Sequence, residues 1–222
     1  DGCERSGAVS PTVQKANADM AAQLPLSDPQ DLQDAQHGLI ARPTGKIVAA
    51  EGTVLRDFGA YGFLDGPAPA TVNPSLWRHA QLNAQVGLFK VTDGVWQLRG
   101  FDIANMTLIE GQTGWIVVDP LSSRESAAFA LAFARQHLGP KSVSALVFTH
   151  AHVDHFGGAL GVVSPQEVAA RKIPVVASIG FMEEATSENV LVGTGMGRRS
   201  MYQFGKNLPR SAVRSEERRV GK

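Results

Sequence analysis

Three of the six histidines fall within the run Thr149-His150-Ala151-His152-Val153-Asp154-His155-Phe156-Gly157-Gly158. Imidazole and carboxylate together suit Zn²⁺, with iron or manganese as substitutes. In extended chain, residues i and i+2 point to the same side, so His150 and His152 can grip one cation. A turn after them lets Asp154 and His155 face a second. Two cations about 3.5–4 Å apart can share a hydroxide, which is a nucleophile at neutral pH. Gly157 and Gly158 permit close backbone packing behind these side chains. A chance surface cluster accounts poorly for four potential ligands placed between an apolar run and a double glycine.

The elements that must position this motif can be read around it. The apolar run 143–149 predicts a buried strand, which delivers the histidines to the rim of a sheet, where α/β sites form. Asp119 ends a second apolar run, Trp115-Ile116-Val117-Val118, just before a helical stretch. Alone it fits a turn or cap; beside the histidine motif it fits a group that orients a ligand imidazole or holds water. His37, His79 and His137 stand singly on helical stretches and read as surface or packing residues.

Further back, the pattern predicts helices over 12–23, 29–41 and 75–82, a strand over 47–58 and an irregular loop over 59–74. Hairpins follow, with strands at 87–91, 95–99, 106–110 and 115–118 and turns at Asp93-Gly94 and Gln112-Thr113-Gly114. An amphipathic helix over 122–137 stops at Gly139-Pro140. A short helix over 165–172 and a buried strand over 173–177 come last. Antiparallel strands followed by strand, helix, strand predict an α+β fold, a mixed sheet with helices on one face. About 130 residues carry this pattern, roughly half of an αββα sandwich.

Composition removes other classes. Basic and acidic residues balance at 21 each, so no net field points to nucleic acid or an anionic membrane. Apolar residues make up 43%, which suits a packed core. The single cysteine, Cys3, excludes an intrachain disulfide. No apolar run reaches the roughly 20 residues of a membrane span. The chain opens on Asp1, so a segment before it is expected. Residues 214–222, Arg-Ser-Glu-Glu-Arg-Arg-Val-Gly-Lys, match the translation of a sequencing adaptor and are set aside. Without them the chain is slightly acidic.

The run from His150 to His155 matches the His-x-His-x-Asp-His signature of the metallo-β-lactamase superfamily. Asp119 after an apolar strand matches its other early motif. Segments 73–78, 87–91, 99–102, 105–111, 187–190 and 196–199, with Tyr202 and Leu208-Pro209-Arg210, resemble the linear primary-alkylsulfatases, the zinc-dependent type III sulfatases. The resemblance runs over about residues 12–212. It implies a metallo-β-lactamase-like αββα sandwich of which only the first half is present. An N-terminal extension over 1–84 would wrap the truncated catalytic half at 85–213.

The same resemblance implies that His150, His152, Asp154 and His155 are zinc ligands in a two-Zn²⁺ site, with Asp154 also orienting water. Two glutamates, a further histidine and the sulfate-gripping residues are expected downstream. Glu183, Glu184 and Glu188 are read as members of a helix packed near the site, and Arg198 and Arg199 as helix-surface or interdomain residues. The implied reaction is hydrolysis of an alkyl sulfate such as dodecyl sulfate, by a homodimer, in the periplasm or outside the cell. The alternatives are a thioester or lactone hydrolase of the same fold, or a non-catalytic metal-binding fragment.

Overall fold

The computed structural model describes residues 9–203. They divide into two compact units. One contains the chain up to Ala35, then Ala60–Ala84, and resumes at Gly197; the other contains Gln36–Gly59 and Gln85–Met196. Residues 9–84 thus contribute to both units, with Gln36–Gly59 falling in the unit that carries the sheet. The adaptor-like residues 214–222 and Leu208-Pro209-Arg210 lie outside the described residues.

The first unit holds helices α1 (Pro11–Gln23), α2 (Gln30–Gln36) and α3 (Pro74–Asn83). Asn73 caps α3, its side chain accepting from the backbone N–H of Ser75 and Leu76, and Pro74 takes the first helical position, where no N–H is needed. Trp77 is buried with Leu64, Val72 and Ala80, and its indole N–H donates to Gly66 O at 2.9 Å. Arg78 donates to the carbonyls of Leu26 and Asp28, both at 2.7 Å. Residues 59–74 were expected to be irregular; Phe58–Leu64 is instead a 3₁₀ helix.

The second unit is built on a seven-stranded sheet. Its strands are β1 (Leu39–Ala41), β4 (Gly87–Thr92), β5 (Val95–Arg99), β6 (Met106–Glu110), β7 (Trp115–Val118), β8 (Val143–Val147) and β9 (Val175–Val176), side by side in that order. Pairing is antiparallel from β1 to β7 and parallel from β7 through β8 to β9. A separate hairpin joins β2 (Lys46–Val48) and β3 (Val54–Asp57). The parallel step needs a crossover, and α4 (Arg124–Leu138) supplies it. Its Ala127, Ala130, Leu131 and Ala134 pack into one core with Trp115, Val117, Leu98, Met106, Leu108 and Leu146.

Ser123 caps α4 by accepting from Ser126 N. Ser123→Ala is expected to cost about 1 kcal/mol. Thermal unfolding should register it as a fall of about 2–4 °C in Tm. An unchanged Tm would show that the cap carries nothing. The remaining helices are α5 (Val153–Phe156), α6 (Ala159–Val162), α7 (Pro165–Arg171), α8 (Phe181–Thr186) and α9 (Gly193–Gln203), with a π-helical turn at Ser187–Leu191. In α7 the backbone N–H and then the hydroxyl of Ser164 hold the Glu167 carboxyl below its usual pKa, a reciprocal N-terminal cap.

Three expectations are corrected. The helix read over 29–41 ends at Gln36, because Gly38 at φ +74° turns the chain, and Leu39–Ala41 become an edge strand. The single strand over 47–58 is a hairpin folded at Gly52, φ +88°. The last strand is not buried throughout. Ile173 before it is 5% exposed, whereas Val175 and Val176 are 49% and 50% exposed at the sheet edge. No helix among the described residues is long and apolar enough to cross a membrane.

Candidate metal centre

Val118 and Val147 are register partners on the parallel strands β7 and β8, and Asp119 N donates to Val147 O at 3.0 Å. Asp119 and Thr149 therefore leave the sheet side by side, at the carboxyl ends of adjacent parallel strands, where side chains converge. Asp119 turns sharply, with φ +55°, and is 8% exposed. Its Oδ1 accepts from Thr149 N at 2.8 Å and its Oδ2 from the Thr149 hydroxyl at 2.7 Å. Oδ2 also lies 2.8 Å from His155 Nδ1.

Leu121, at φ +65°, is a second left-handed residue in the same loop and is fully buried. Positive φ in non-glycine residues is uncommon and gathers where surroundings hold the chain against strain. Here Gly158 N donates to Leu121 O at 2.8 Å, and Ser122 N and its hydroxyl donate to Asp102 Oδ2. The Asp119 loop is thus bolted to the histidine loop on one side and to Asp102 on the other. Asp102 and Ser122 were not singled out from sequence; their types carry no signal without the fold.

Past Thr149 the chain bends through His150 and Ala151 to His152, which stands before α5 with φ −72° and ψ 137° and makes no side-chain cap bond. His155 N donates to His152 O at 3.0 Å, closing the turn that brings Asp154 and His155 round. The rings of His150 and His155 have centroids 4.0 Å apart, and those of His150 and His152 4.6 Å. His150 Nε2 lies 3.0 Å from His152 Nδ1, and His155 Nε2 lies 3.4 Å from Asp154 Oδ2. Glu188 joins the group, its Oε1 3.0 Å from His152 Nε2. Glu183 and Glu184 sit in the first turn of α8.

The donor set can be tested for a cation by following protons. A carboxylate only accepts, so the hydrogen bond from His155 to Asp119 places the ring proton on Nδ1. In the neutral ring Nε2 of His155 is then a bare lone pair, facing a carboxylate oxygen of Asp154. Two electron-rich atoms in that position repel unless something positive lies between them. A tetrahedral ion with bonds of about 2.0–2.1 Å holds two donors roughly 3.3 Å apart. The 3.0 Å and 3.4 Å separations bracket that bite. The residues therefore fit a cation of the zinc type, as two donor pairs. Among the described residues, no three His, Cys, Asp or Glu side chains form a ready-made metal cage.

Residues 99–216 match the family described as the metallo-beta-lactamase superfamily, more than half of the chain. The chain belongs to the metallo-beta-lactamase superfamily. It is 49% identical over 197 residues to an (R)-specific secondary-alkylsulfatase of Pseudomonas sp., covering 88% of this chain and 30% of that protein. It is 44% identical over 214 residues to the alkyl/aryl-sulfatase BDS1 of Saccharomyces cerevisiae, covering 96% of this chain and 33% of the relative. The solved structure of the stereoselective inverting sec-alkylsulfatase Pisa1 from Pseudomonas sp. superposes with a TM-score of 0.84 at 48% identity, over 91% of this chain and 32% of that one. The chain thus spans about a third of the length of the relatives it matches, and within that third the mixed sheet and its helices are those of the superfamily.

Proposed function

We propose that this chain is the metal-binding part of an alkyl sulfatase, which hydrolyses alkyl sulfate esters to alcohol and sulfate. The observation that carries the reading is the pairing of His150 with His152 and of Asp154 with His155 at chelating separations. The alkylsulfatase relatives supply the substrate class. His150, His152, Asp154 and His155 would hold two Zn²⁺ ions. When bound, such ions lower the pKa of water towards neutrality and so provide a hydroxide nucleophile.

This chain's own residues prepare the site. Asp119 fixes the ring of His155 and, through Thr149, the strand end that carries His150. Asp154 presents a carboxylate beside His155 Nε2, positioned to hold water by hydrogen bonding as well as to ligate. Each pair offers two donors where a tight site needs three or more. The polypeptide of this length therefore binds zinc weakly and does not turn over substrate; the rest of the whole protein completes the ligand set and grips the sulfate.

Dodecyl sulfate hydrolysis by the whole protein that carries this segment is the test. Turnover should vanish on dialysis against a chelator and return with Zn²⁺. Activity that survives chelation sinks the reading. Hydrolysis of a thioester or lactone with no dodecyl sulfate turnover would replace it with the other hydrolase class of this fold. Dodecyl sulfate turnover by the 222-residue chain alone would overturn the claim that it is incomplete.

A further inference from the structure

We infer that Glu188 is the positioning residue that sets the tautomer of His152 and so opens the His150–His152 pair to a cation. The inference rests on the metal-binding reading above and adds to it a residue outside the histidine motif.

One chain of close polar contacts runs from Asp119 through Thr149, His150 and His152 to Glu188. The Thr149 hydroxyl gives its proton to Asp119 Oδ2, since a carboxylate has none to give. Thr149 Oγ1 is left as an acceptor, 3.0 Å from His150 Nδ1, which therefore carries the ring proton. His150 Nε2 is then bare and points at His152 Nδ1, 3.0 Å away.

Two arrangements of His152 compete. With its proton on Nδ1, His152 donates to His150 Nε2, and a neutral imidazole–imidazole hydrogen bond seals the pair. With its proton on Nε2, it donates to Glu188 Oε1 at 3.0 Å, and two lone pairs face each other, ready for an ion. A hydrogen bond to a carboxylate is roughly twice as strong as one between neutral groups. Glu188 therefore draws the proton to Nε2 and keeps the pair open.

The backbone supports this placement. Glu188 is the second residue of the π-helical turn Ser187–Leu191, closed by Val192 N donating to Ser187 O at 3.0 Å. Single π turns inside helices are rare and gather at functional sites. The Glu188 side chain is 30% exposed beside a His152 side chain that is 53% exposed, so the bond is partly shielded from water. With Glu188, each histidine of the motif has its far nitrogen held: His150 by Thr149, His155 by Asp119, and His152 by Glu188.

The test uses the 222-residue chain. Histidine ¹⁵N NMR of the metal-free protein should show His152 protonated at Nε2. In Glu188→Ala it should move to the Nδ1-protonated form, and affinity for Co²⁺ should fall by about 10–100-fold. Glu188→Gln still offers an amide oxygen to Nε2–H, so it should keep the wild-type tautomer and bind Co²⁺ within a few-fold of wild type. An Nδ1-protonated His152 in the wild type overturns the assignment. So does a Glu188→Ala chain with unchanged tautomer and affinity. Equal Co²⁺ losses in the Gln and Ala variants would make Glu188 a ligand rather than a positioning residue, and also overturn it. If the wild-type chain takes up no Co²⁺ even under a large excess of the ion, the metal reading fails separately, and the tautomer comparison alone decides the role of Glu188.

Discussion

Asp119→Ala is expected to destabilise the fold by about 3–5 kcal/mol, near the upper end for a single substitution. Three donors lose their acceptor at once: Thr149 N, the Thr149 hydroxyl and His155 Nδ1. A buried polar group left without a partner costs about 1–3 kcal/mol. Alanine also tolerates the φ of +55° less well than aspartate, whose short polar side chain suits the left-handed region. Asp119→Asn separates folding from metal binding. Its carbonyl still accepts from Thr149 N, and its amide can donate to the Thr149 hydroxyl, so stability should fall by only about half as much as in alanine. At His155, however, the amide presents a donor, which drives the ring proton to Nε2 and blocks the lone pair that faces Asp154. Asn should therefore weaken zinc binding at least as much as Ala while melting at a higher temperature. Denaturant unfolding and zinc competition measure the two effects separately; an Asn variant with wild-type zinc affinity would remove Asp119 from the site.

That pair of variants turns on a residue the sequence singled out only by position, at the end of an apolar strand. The motif was legible from its donor types and close spacing, although His150 meets His152 across a bend at 149–151 rather than by the extended alternation expected. The strands from β4 to β8 were legible because alternation and turn residues mark them, and their bounds fall within one or two residues of expectation. The errors have physical causes. Leu39 and Ile40 complete the apolar stripe of α2, so periodicity carries the helix past Gly38, although glycine there is the usual stop signal. Val175 and Val176 are apolar as a buried strand would be, yet sequence does not say that β9 is an outermost strand among the described residues. The π turn has no compositional signature, since it differs from an α turn only in which carbonyl each N–H reaches. Glu188 was therefore readable as a neighbour of the site but not as the partner of His152.

Gly158→Ala is expected to cost about 3 kcal/mol or more, at or above the top of the usual range for overpacking, because what it meets is backbone rather than a movable side chain. A Cβ at Gly158 would stand 2.1 Å from Pro120 O, 2.6 Å from Ser123 O and 2.8 Å from Ala127 Cβ. Gly161 repeats the arrangement one turn on, its Cβ 2.0 Å from Arg124 O. Gly157 completes it, 2.4 Å from Ser122 O. Three glycines thus seat the segment from α5 to α6 directly on the carbonyls that lead into and begin α4. The only relief is for the histidine loop to lift away from the Asp119 loop, which breaks the Gly158 N–Leu121 O bond and pulls His155 from Asp119. Stability and zinc affinity should then fall together in Gly158→Ala and in Gly161→Ala, even though neither glycine touches a cation. Gly62→Ala is the control: no atom lies within 4 Å of its Cβ, and it should melt within about 0.5 kcal/mol of wild type, as surface changes do. A Gly158→Ala chain with wild-type melting and zinc binding would mean that the two loops are not clamped, and that the left-handed Asp119 is held by its side-chain bonds alone.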